Sequence, residues 1–391
     1  MKKIFLSAIL FFTFIISFSQ HNYLLQGNID KRSVFFRITQ EDDSTIYARY
    51  FSNDNLQDIF LDGKPSKKHL SFTKYAYSYT QQKDTFCESF TLTTTNNKNW
   101  FGNWTNGKTK LKVFLKPVSI DKIKLKPKRE FDINVGLDEY YSNIRENKVQ
   151  LHKDSITKIN QLLLQWFTEK TSDVKLFRIV AGIGDTTILN KINNTLHEFQ
   201  MNEVFAFYDC PNNSRKRGNY NVWIDSVYVT DNSLGLKIHS YYDCGGVHPN
   251  SADLSFNINL HTGCKIEKLT DIFNFDDSSI FSQINSLIEI DTTDKYENYG
   301  YSDGDTTAIC IAYLMKTLHR TEMQNDDSLN ENCRFSDYDR WRYFNFLFRY
   351  DGVYISPEFP HVMQSCSYPE WSVIPYSVLK KYLRKESKFV L

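Results

Sequence analysis

The stretch FGNWTNGKTKLKVFL, residues 101–115, contains two segments in which apolar and polar side chains alternate on either side of a turn sequence. Strand side chains point to opposite faces in turn, so this period of two is typical of paired strands. Gly102 and Gly107 suit a hairpin, because glycine accepts backbone angles that other residues resist. We predict that Trp104 is a core residue here; a position lining the mouth of a ligand cavity is the alternative.

The same alternation extends back through the preceding chain. It recurs in SVFFRIT (33–39), TIYARYF (45–51), LSFTKYAYSY (70–79) and ESFTLTTT (88–95). Asn, Asp and Gly residues interrupt these segments, as expected between strands of an antiparallel meander. We therefore predict a β-rich domain over residues 21–120, folded as a small barrel or sandwich. A charged, proline-containing linker follows over residues 121–140.

The remaining residues, 141–391, mix helical and strand patterns. Apolar spacing predicts helices in DSITKINQLLLQWFTEK (154–170), TTILNKINNTLHEFQ (186–200), DDSSIFSQINSLIEI (276–290) and TTAICIAYLMKTLHR (306–320). Alternation predicts three or four sequential antiparallel strands over residues 220–269, a hairpin around Asp351 and Gly352, and a strand leading into a short helix over 371–383. Because strands and helices come in blocks, the expected class is α+β: the β meander, then an α+β domain with an antiparallel sheet and packed helices.

The first residues have the layout of a secretory signal. Lys2 and Lys3 precede an apolar run from Ile4 to Phe18, with small residues at its end, which predicts a signal peptide over residues 1–19. The run is too short for an ordinary membrane span, which needs about 20 residues. We expect an exported protein, periplasmic or extracellular, with no membrane span after signal cleavage.

Composition restricts the partners. The formal net charge is only +1, with acidic and basic residues interleaved, so no nucleic-acid partner is predicted. An oxidising compartment lets cysteine pairs persist, and most cysteines lie after residue 200, but spacing leaves their connectivity open. The odd total leaves at least one unpaired. The seven cysteines are Cys87, Cys210, Cys244, Cys264, Cys310, Cys333 and Cys366.

The loop in SYYDCGGVHPN, residues 240–250, contains the candidate binding residues. They are Asp243, Gly245, Gly246, His248 and Asn250. Two consecutive glycines favour a sharp bend between strands, which is the simpler, structural explanation of the loop. A histidine near a carboxylate is also suited to general acid–base chemistry, so Asp243 and His248 are the candidates if the protein is an enzyme.

Other chemistry has less support. His239 and Tyr241 alternate with Asp243 along one strand, and His239 or His261 could complete a metal site, but their spacing fits no recognised ligand pattern. No nucleophile elbow, Walker loop or dinucleotide fingerprint occurs in the sequence. We therefore predict no catalytic residues, no metal and no cofactor.

Several of these motifs resemble a known family in their order. The YYDCGGVHPN loop is followed by Thr262 and Gly263, by LTDIF (269–273) and by IPY (374–376). Over residues 140–391 this order resembles a secreted domain-of-unknown-function family, found in the ectodomains of lysozyme-sensing anti-sigma factors, in some peptidoglycan deacetylases and in many Bacteroidota exported proteins. The resemblance implies an α+β ectodomain that binds a partner at the cell envelope, which is lysozyme in the anti-sigma members.

Together these patterns predict an exported envelope protein that binds a protein or glycan ligand, lysozyme-like or peptidoglycan, without catalysis. The alternative function is a cell-wall or glycan hydrolase that uses Asp243 and His248.

Overall fold

The computed structural model of the protein describes residues 21–41, 45–65, 69–78, 81–95, 98–123, 137–210, 219–244, 248–275, 303–329, 333–335, 338–359, 363 and 366–389. Chain contacts form two compact units that divide between Gln150 and Leu151. The expected signal peptide, residues 1–19, lies outside the described residues, as do residues 124–136 of the expected linker. No described helix is long and apolar enough to cross a membrane.

The first unit contains a closed antiparallel barrel of eight strands. The strands are β1 (His21–Ile29), β2 (Arg32–Gln40), β3 (Ile46–Ser52), β4 (Asn55–Pro65), β5 (Leu70–Ser78), β6 (Lys83–Thr95), β7 (Asn99–Thr105) and β8 (Lys110–Pro117). Each strand pairs with the next along the chain, and β8 closes the sheet on β1. Closure gives every strand two neighbours, so the sheet has no open edge.

Apolar side chains fill the barrel interior. Phe36, Phe72 and Phe90 are fully buried there, and the Phe36 and Phe90 rings meet edge to face with centroids 5.1 Å apart. Trp104 packs against this core, partly buried, as the sequence predicts. The interior of this barrel is therefore a packed core, built from the inward half of each alternating segment.

One carboxylate is buried with the barrel core. Glu88 is 8% exposed, and its Oε2 accepts hydrogen bonds from Tyr50 Oη at 2.8 Å and from Trp104 Nε1 at 2.6 Å. Burial and the neighbouring carboxylate raise the pKa of the Tyr50 phenol far above its ordinary value. The two donors offset part of the cost of removing the Glu88 carboxylate from water.

Helix α1 (Leu137–Glu146) packs against the barrel. Its Asp138 accepts a hydrogen bond from Arg49 at 2.7 Å. Tyr141 is 1% exposed and donates to Asp58 Oδ1 at 2.6 Å. These contacts place residues 137–146 in the first unit.

The second unit contains three separate three-stranded antiparallel sheets. They consist of β9 (Leu151–Ile159), β10 (Leu162–Glu169) and β11 (Lys175–Ala181); of β12 (Asn219–Val229), β13 (Ser233–Asp243) and β14 (Asn250–Asn259); and of β15 (Phe344–Phe348), β16 (Gly352–Pro357) and β17 (Val373–Pro375). The α-helices among its described residues are α2 (Thr186–Asp209), α3 (Asp303–Leu318), α4 (Arg320–Leu329) and α5 (Tyr376–Leu379).

Two apolar clusters hold these elements together. Helix α2 is capped by Asp185, and it buries Ile192 and Leu196 against the first two sheets. The second cluster joins α3 to the third sheet, where Trp341 and Phe348 are fully buried. The structure confirms the predicted helix over 186–200 and sequential antiparallel strands, β12 to β14. It also confirms the hairpin around Asp351 and Gly352 and the strand that leads into a short helix. The predicted helix over 276–290 lies outside the described residues.

The α+β class predicted from the sequence is wrong, because the protein is mostly β. Strand makes up 50% of the described residues and helix 25%. The barrel and the second unit contribute nearly equal numbers of strand residues. The strands of the second unit form small sheets instead of one sheet covered by packed helices.

The helix predicted over residues 154–170 is also wrong, because this segment is the hairpin β9–β10. Apolar residues at a spacing of three and four suggested a helical stripe, but the β-branched residues Ile156 and Ile159 favour strand. Asn160 adopts a positive φ of 50°, a conformation that asparagine tolerates and that turns the chain back on itself. Pairing of β10 with β11 then completes the sheet.

Two disulfides lie in the second unit. Cys210 bonds to Cys244, and Cys333 bonds to Cys366. Cys87 and Cys264 are free thiols, and Cys310 is a buried cysteine outside these two disulfides. The first disulfide connects the end of α2 to the end of β13, and so fixes one end of the loop that contained the predicted binding residues.

Candidate functional site

The sheet formed by β12, β13 and β14 carries a row of aromatic and ionisable side chains on one face. Trp223 on β12 lies directly opposite His239 on β13, which lies directly opposite Asp253 on β14. Residues in register on neighbouring strands share a face, so the three side chains stand side by side. The Trp223 ring is 46% exposed, which is unusual for a side chain of this size.

Hydrogen bonds and ion pairs fix the polar members of the row. His239 Nδ1 is bonded to Asp253 Oδ1. Lys237, two residues along β13, lies with its Nζ 3.5 Å from Asp253 Oδ2 and 3.6 Å from Asp225 Oδ2. A register shift between Ile224 and Ser226 accompanies the position of Asp225 in β12. The bulge thus sets two carboxylates around one ammonium group.

Aromatic side chains close two sides of this row. The Trp223 and His239 rings lie with centroids 4.4 Å apart and planes tilted by 43°. Tyr368 approaches from the segment after β16, and its Oη accepts a hydrogen bond from the Asp253 N–H at 3.0 Å. Burial raises the pKa of Tyr368 above its ordinary value, so the phenol stays neutral at physiological pH.

The row forms the wall of a cavity of ≈320 Å³, at the lower end of ligand-pocket sizes. The lining side chains that matter for recognition are Trp223, Asp225, Lys237, His239, Asp253 and Tyr368. Within the described part of the chain, the His239 ring is hydrogen-bonded only at Nδ1, so Nε2 is available to a ligand. The cavity thus combines the exposed face of Trp223 with hydrogen-bonding side chains, among them one basic and two acidic residues.

The residues predicted from the loop do not line this cavity. Asp243 ends β13 four residues beyond His239, which is about 13 Å of strand. His248 is exposed and its Nδ1 lies 3.3 Å from the Pro249 carbonyl oxygen. Gly245 and Gly246 lie outside the described residues.

Asn250, the last of the predicted residues, belongs to the opposite face of the sheet. Its Nδ2 donates to Tyr242 Oη at 2.7 Å, and Tyr242 stacks on Tyr220 with ring centroids 6.1 Å apart. Tyr220 donates to Glu203 Oε2 at 2.6 Å, and burial raises the pKa of Glu203. Two hydrogen bonds and one ring contact thus connect β14 to α2, and Asn250 has a structural role there.

Sequence reasoning named His239 but missed the residues that surround it. The available signal was the alternation in NYNVWIDSVYV (219–229), which places Asn221, Trp223 and Asp225 on one face. A large aromatic residue on the polar face of a half-buried strand is a departure from the usual pattern, and it indicates binding. Asp253 and Tyr368 could not be assigned, because they depend on strand register and on a distant segment.

The other histidine considered as a metal ligand has a structural contact. His261 Nε2 lies 2.9 Å from Asn232 Oδ1, where the two residues join the turns at the ends of β12 and β14. Among the residues that the structure describes, no group of three or more His, Cys, Asp or Glu side chains is placed to hold a metal ion.

No protein-family model matches this chain, and no curated protein matches it.

Proposed function

We propose that the protein is an exported glycan-binding protein of the cell envelope, and that the cavity at Trp223 binds the sugar. One observation carries the proposal: a half-exposed indole ring stands in register with His239 and Asp253 in a walled cavity. The ring offers a flat apolar surface with a negative quadrupole, which attracts the weakly positive C–H face of a pyranose. The neighbouring polar side chains provide donors and acceptors for sugar hydroxyl and amide groups.

The cavity favours a glycan over a protein ligand. A stable protein interface buries about 800 Å² per partner, usually around several large apolar anchors. Here the recognition groups are confined to a cavity of ≈320 Å³ with Trp223 as its exposed aromatic residue. A short segment of a sugar chain matches that size better than a protein surface does.

Three further arguments support an envelope location. The apolar N-terminal sequence has the layout of a secretory signal. The disulfides Cys210–Cys244 and Cys333–Cys366 are of a kind that persists in oxidising compartments. The resemblance to envelope-associated ectodomains points the same way, and makes peptidoglycan fragments the first ligands to try.

The test is calorimetric titration of the full chain with chitotetraose and with solubilised peptidoglycan fragments. We expect binding in the range of about 1 μM to 1 mM, and Trp223→Ala should weaken binding at this cavity at least about tenfold. Tyr343→Ala is the matched control, because Tyr343 is also a large exposed aromatic, at 70%. Equal affinities and equal numbers of binding sites for the wild type and Trp223→Ala would contradict the proposal, and so would retention of lysozyme with no glycan binding.

Hydrolysis is the second candidate function, and one contact favours it. His239 is held by the Asp253 carboxylate, the arrangement that orients a general base. Release of reducing ends from peptidoglycan would identify a hydrolase. Loss of that release in His239→Ala but not in His248→Ala would place the chemistry in the cavity, whereas the reverse would place it at Asp243 and His248.

A further inference from the structure

The barrel carries a second cavity, of ≈640 Å³, on its outer face. Phe101 on β7 and Phe114 on β8 are direct cross-strand partners, and both remain exposed, at 45% and 41%. Their ring centroids are 5.1 Å apart with planes tilted by 46°. Thr93 on β6 and Asn28 on β1 extend the same row on either side. The row thus places two rings between a hydroxyl group and an amide.

A second row adds polar groups beside the rings. Lys112 lies opposite Asn103, and the Asp30 N–H donates to the Lys112 carbonyl oxygen at 2.8 Å. All three residues line the cavity. One acidic and one basic side chain balance each other, so the groove carries no net charge that would select an ionic ligand.

The strands beneath the rings approach one another closely. A side chain at Gly102 would overlap the Thr91 carbonyl, and one at Gly27 would overlap the Phe114 carbonyl. Glycine therefore lets β6, β7, β8 and β1 approach closely below the groove. Because the barrel is closed, the rings are presented in a fixed position, which lowers the entropic cost of binding.

We propose that this groove is a second glycan-binding site, for a neutral chain of pyranose units, on the same protein. The inference rests on the proposed function, since it uses the same recognition chemistry, but it stands on different residues in the other unit. Two adjacent rings suit two successive sugar units, and the flanking Thr93, Asn103 and Asn28 suit neutral hydroxyl and amide groups. Two sites on one chain would raise the avidity for a polymer without any new contact.

The experiment is calorimetric titration of the full chain with chitotetraose, a neutral oligomer. The wild type should bind two equivalents, and Trp223→Ala should bind one. Adding Phe101→Leu and Phe114→Leu to Trp223→Ala should reduce the remaining affinity at least about tenfold, because leucine keeps an apolar strand residue but removes the ring. Unfolding midpoints of each variant show that the barrel is intact.

The matched control is Tyr75→Leu with Phe86→Leu. These residues are another exposed cross-strand aromatic pair of the barrel, with ring centroids 6.3 Å apart, and they line neither of the two cavities. We expect this pair of substitutions to leave the second binding event unchanged. An equal loss in the control would overturn the inference, because the effect would then be on the barrel in general.

The outcomes separate the two proposals. A single equivalent that disappears in Trp223→Ala overturns the barrel site and leaves the proposed function standing. A single equivalent that survives Trp223→Ala but is lost with Phe101→Leu and Phe114→Leu supports the barrel site and overturns the cavity at Trp223. No binding to any variant overturns both. Dimerisation that these two leucine substitutions abolish would identify the groove as a protein interface and overturn the inference.

Discussion

The two units of the protein are both rich in β structure, but different features stabilise them. The barrel closes on itself and has one cysteine, Cys87, which is free. The second unit divides its strands among three open sheets and carries two disulfides. A closed sheet satisfies its edges and encloses one core, whereas small open sheets leave edges and divide their core. The disulfides of this chain therefore lie in the unit whose sheets remain open.

Loss of a ring from the barrel core should have the largest effect. Phe90 is fully buried and contacts the rings of Phe36 and Tyr50. We expect Phe90→Ala to lower the free energy of unfolding by about 3–5 kcal/mol, because it removes apolar contacts and leaves a cavity. Scanning calorimetry should show that only the barrel transition moves. Phe60→Ala, at a residue that is 66% exposed, is the control. A shift of both transitions would show that the units do not unfold independently.

Removing a disulfide should act on the other unit. Cys333 and Cys366 close a loop with a sequence separation of 33. The loss of chain entropy in the unfolded state corresponds to about 3–4 kcal/mol for a loop of this length. The double variant Cys333→Ser, Cys366→Ser should therefore lower the second unit's calorimetric transition alone. Cys87→Ser should change neither transition by more than about 0.5 kcal/mol. If the disulfide variant left the second transition in place, the contrast between the units would be wrong.

A smaller effect should follow from the buried tyrosine of the barrel. Tyr50→Phe removes one donor to Glu88, and we expect a loss of about 1–3 kcal/mol at neutral pH. The folded-state pKa of Tyr50 is raised above its unfolded value. Its contribution is therefore fully present below pH 10, the ordinary pKa of tyrosine, and declines as the pH rises above it.

The measurement is denaturant unfolding of wild type and Tyr50→Phe at several pH values from 7 to above 10. The difference between them should narrow only at the alkaline end. Tyr75→Phe, at a residue that is 57% exposed, should match the wild type throughout. A difference that is constant across the whole range would mean that the phenol proton does not contribute in the way described.

The smallest effect should come from the cavity of the second unit. Asp253→Asn keeps the backbone N–H bonded to Tyr368 but weakens the contacts with His239 and Lys237. We expect an affinity loss for chitotetraose of about three- to tenfold, with less than about 1 kcal/mol of lost stability. Asp351→Asn is the control, because Asp351 is ion-paired with Arg349 outside the cavity. If Asp253→Asn does not fold, the row of Trp223, His239 and Asp253 serves stability and not binding, and the prediction is contradicted.

The sequence predicted most strand positions because alternation is a local signal. In the barrel each strand pairs with its neighbour in the chain, so locating the strands also gives their order. The segment 154–170 failed because Ile156, Ile159 and Leu163 fit a helical stripe as well as a hairpin. Local spacing could not decide between them, and pairing of β10 with β11 did. The predicted α+β class was wrong for the same reason. Local patterns overcounted helices, and they could not show whether the barrel closes.

The site was less predictable than the fold. The sequence pointed to the loop over residues 240–250 because it contains two glycines and a histidine. In the structure, however, Asn250 of this loop makes a structural hydrogen bond to Tyr242. Trp223, His239 and Asp253 come together only through the register of three strands. That register depends on the hairpin loops and on the Ile224 bulge, which alternation does not reveal. The sequence alone did indicate that Trp223 lies on the exposed face of its strand, because the alternation in residues 219–229 places it there.

The most direct test of the account is the indole N–H spectrum of the protein during a titration with chitotetraose. The chain has six tryptophans, and Trp223→Phe identifies the Trp223 resonance. We predict that this resonance shifts with saturating behaviour, while those of Trp100 and Trp341, which are 2% and 0% exposed, stay in place. A Trp223 resonance that does not move when the protein is saturated with glycan would contradict the central claim.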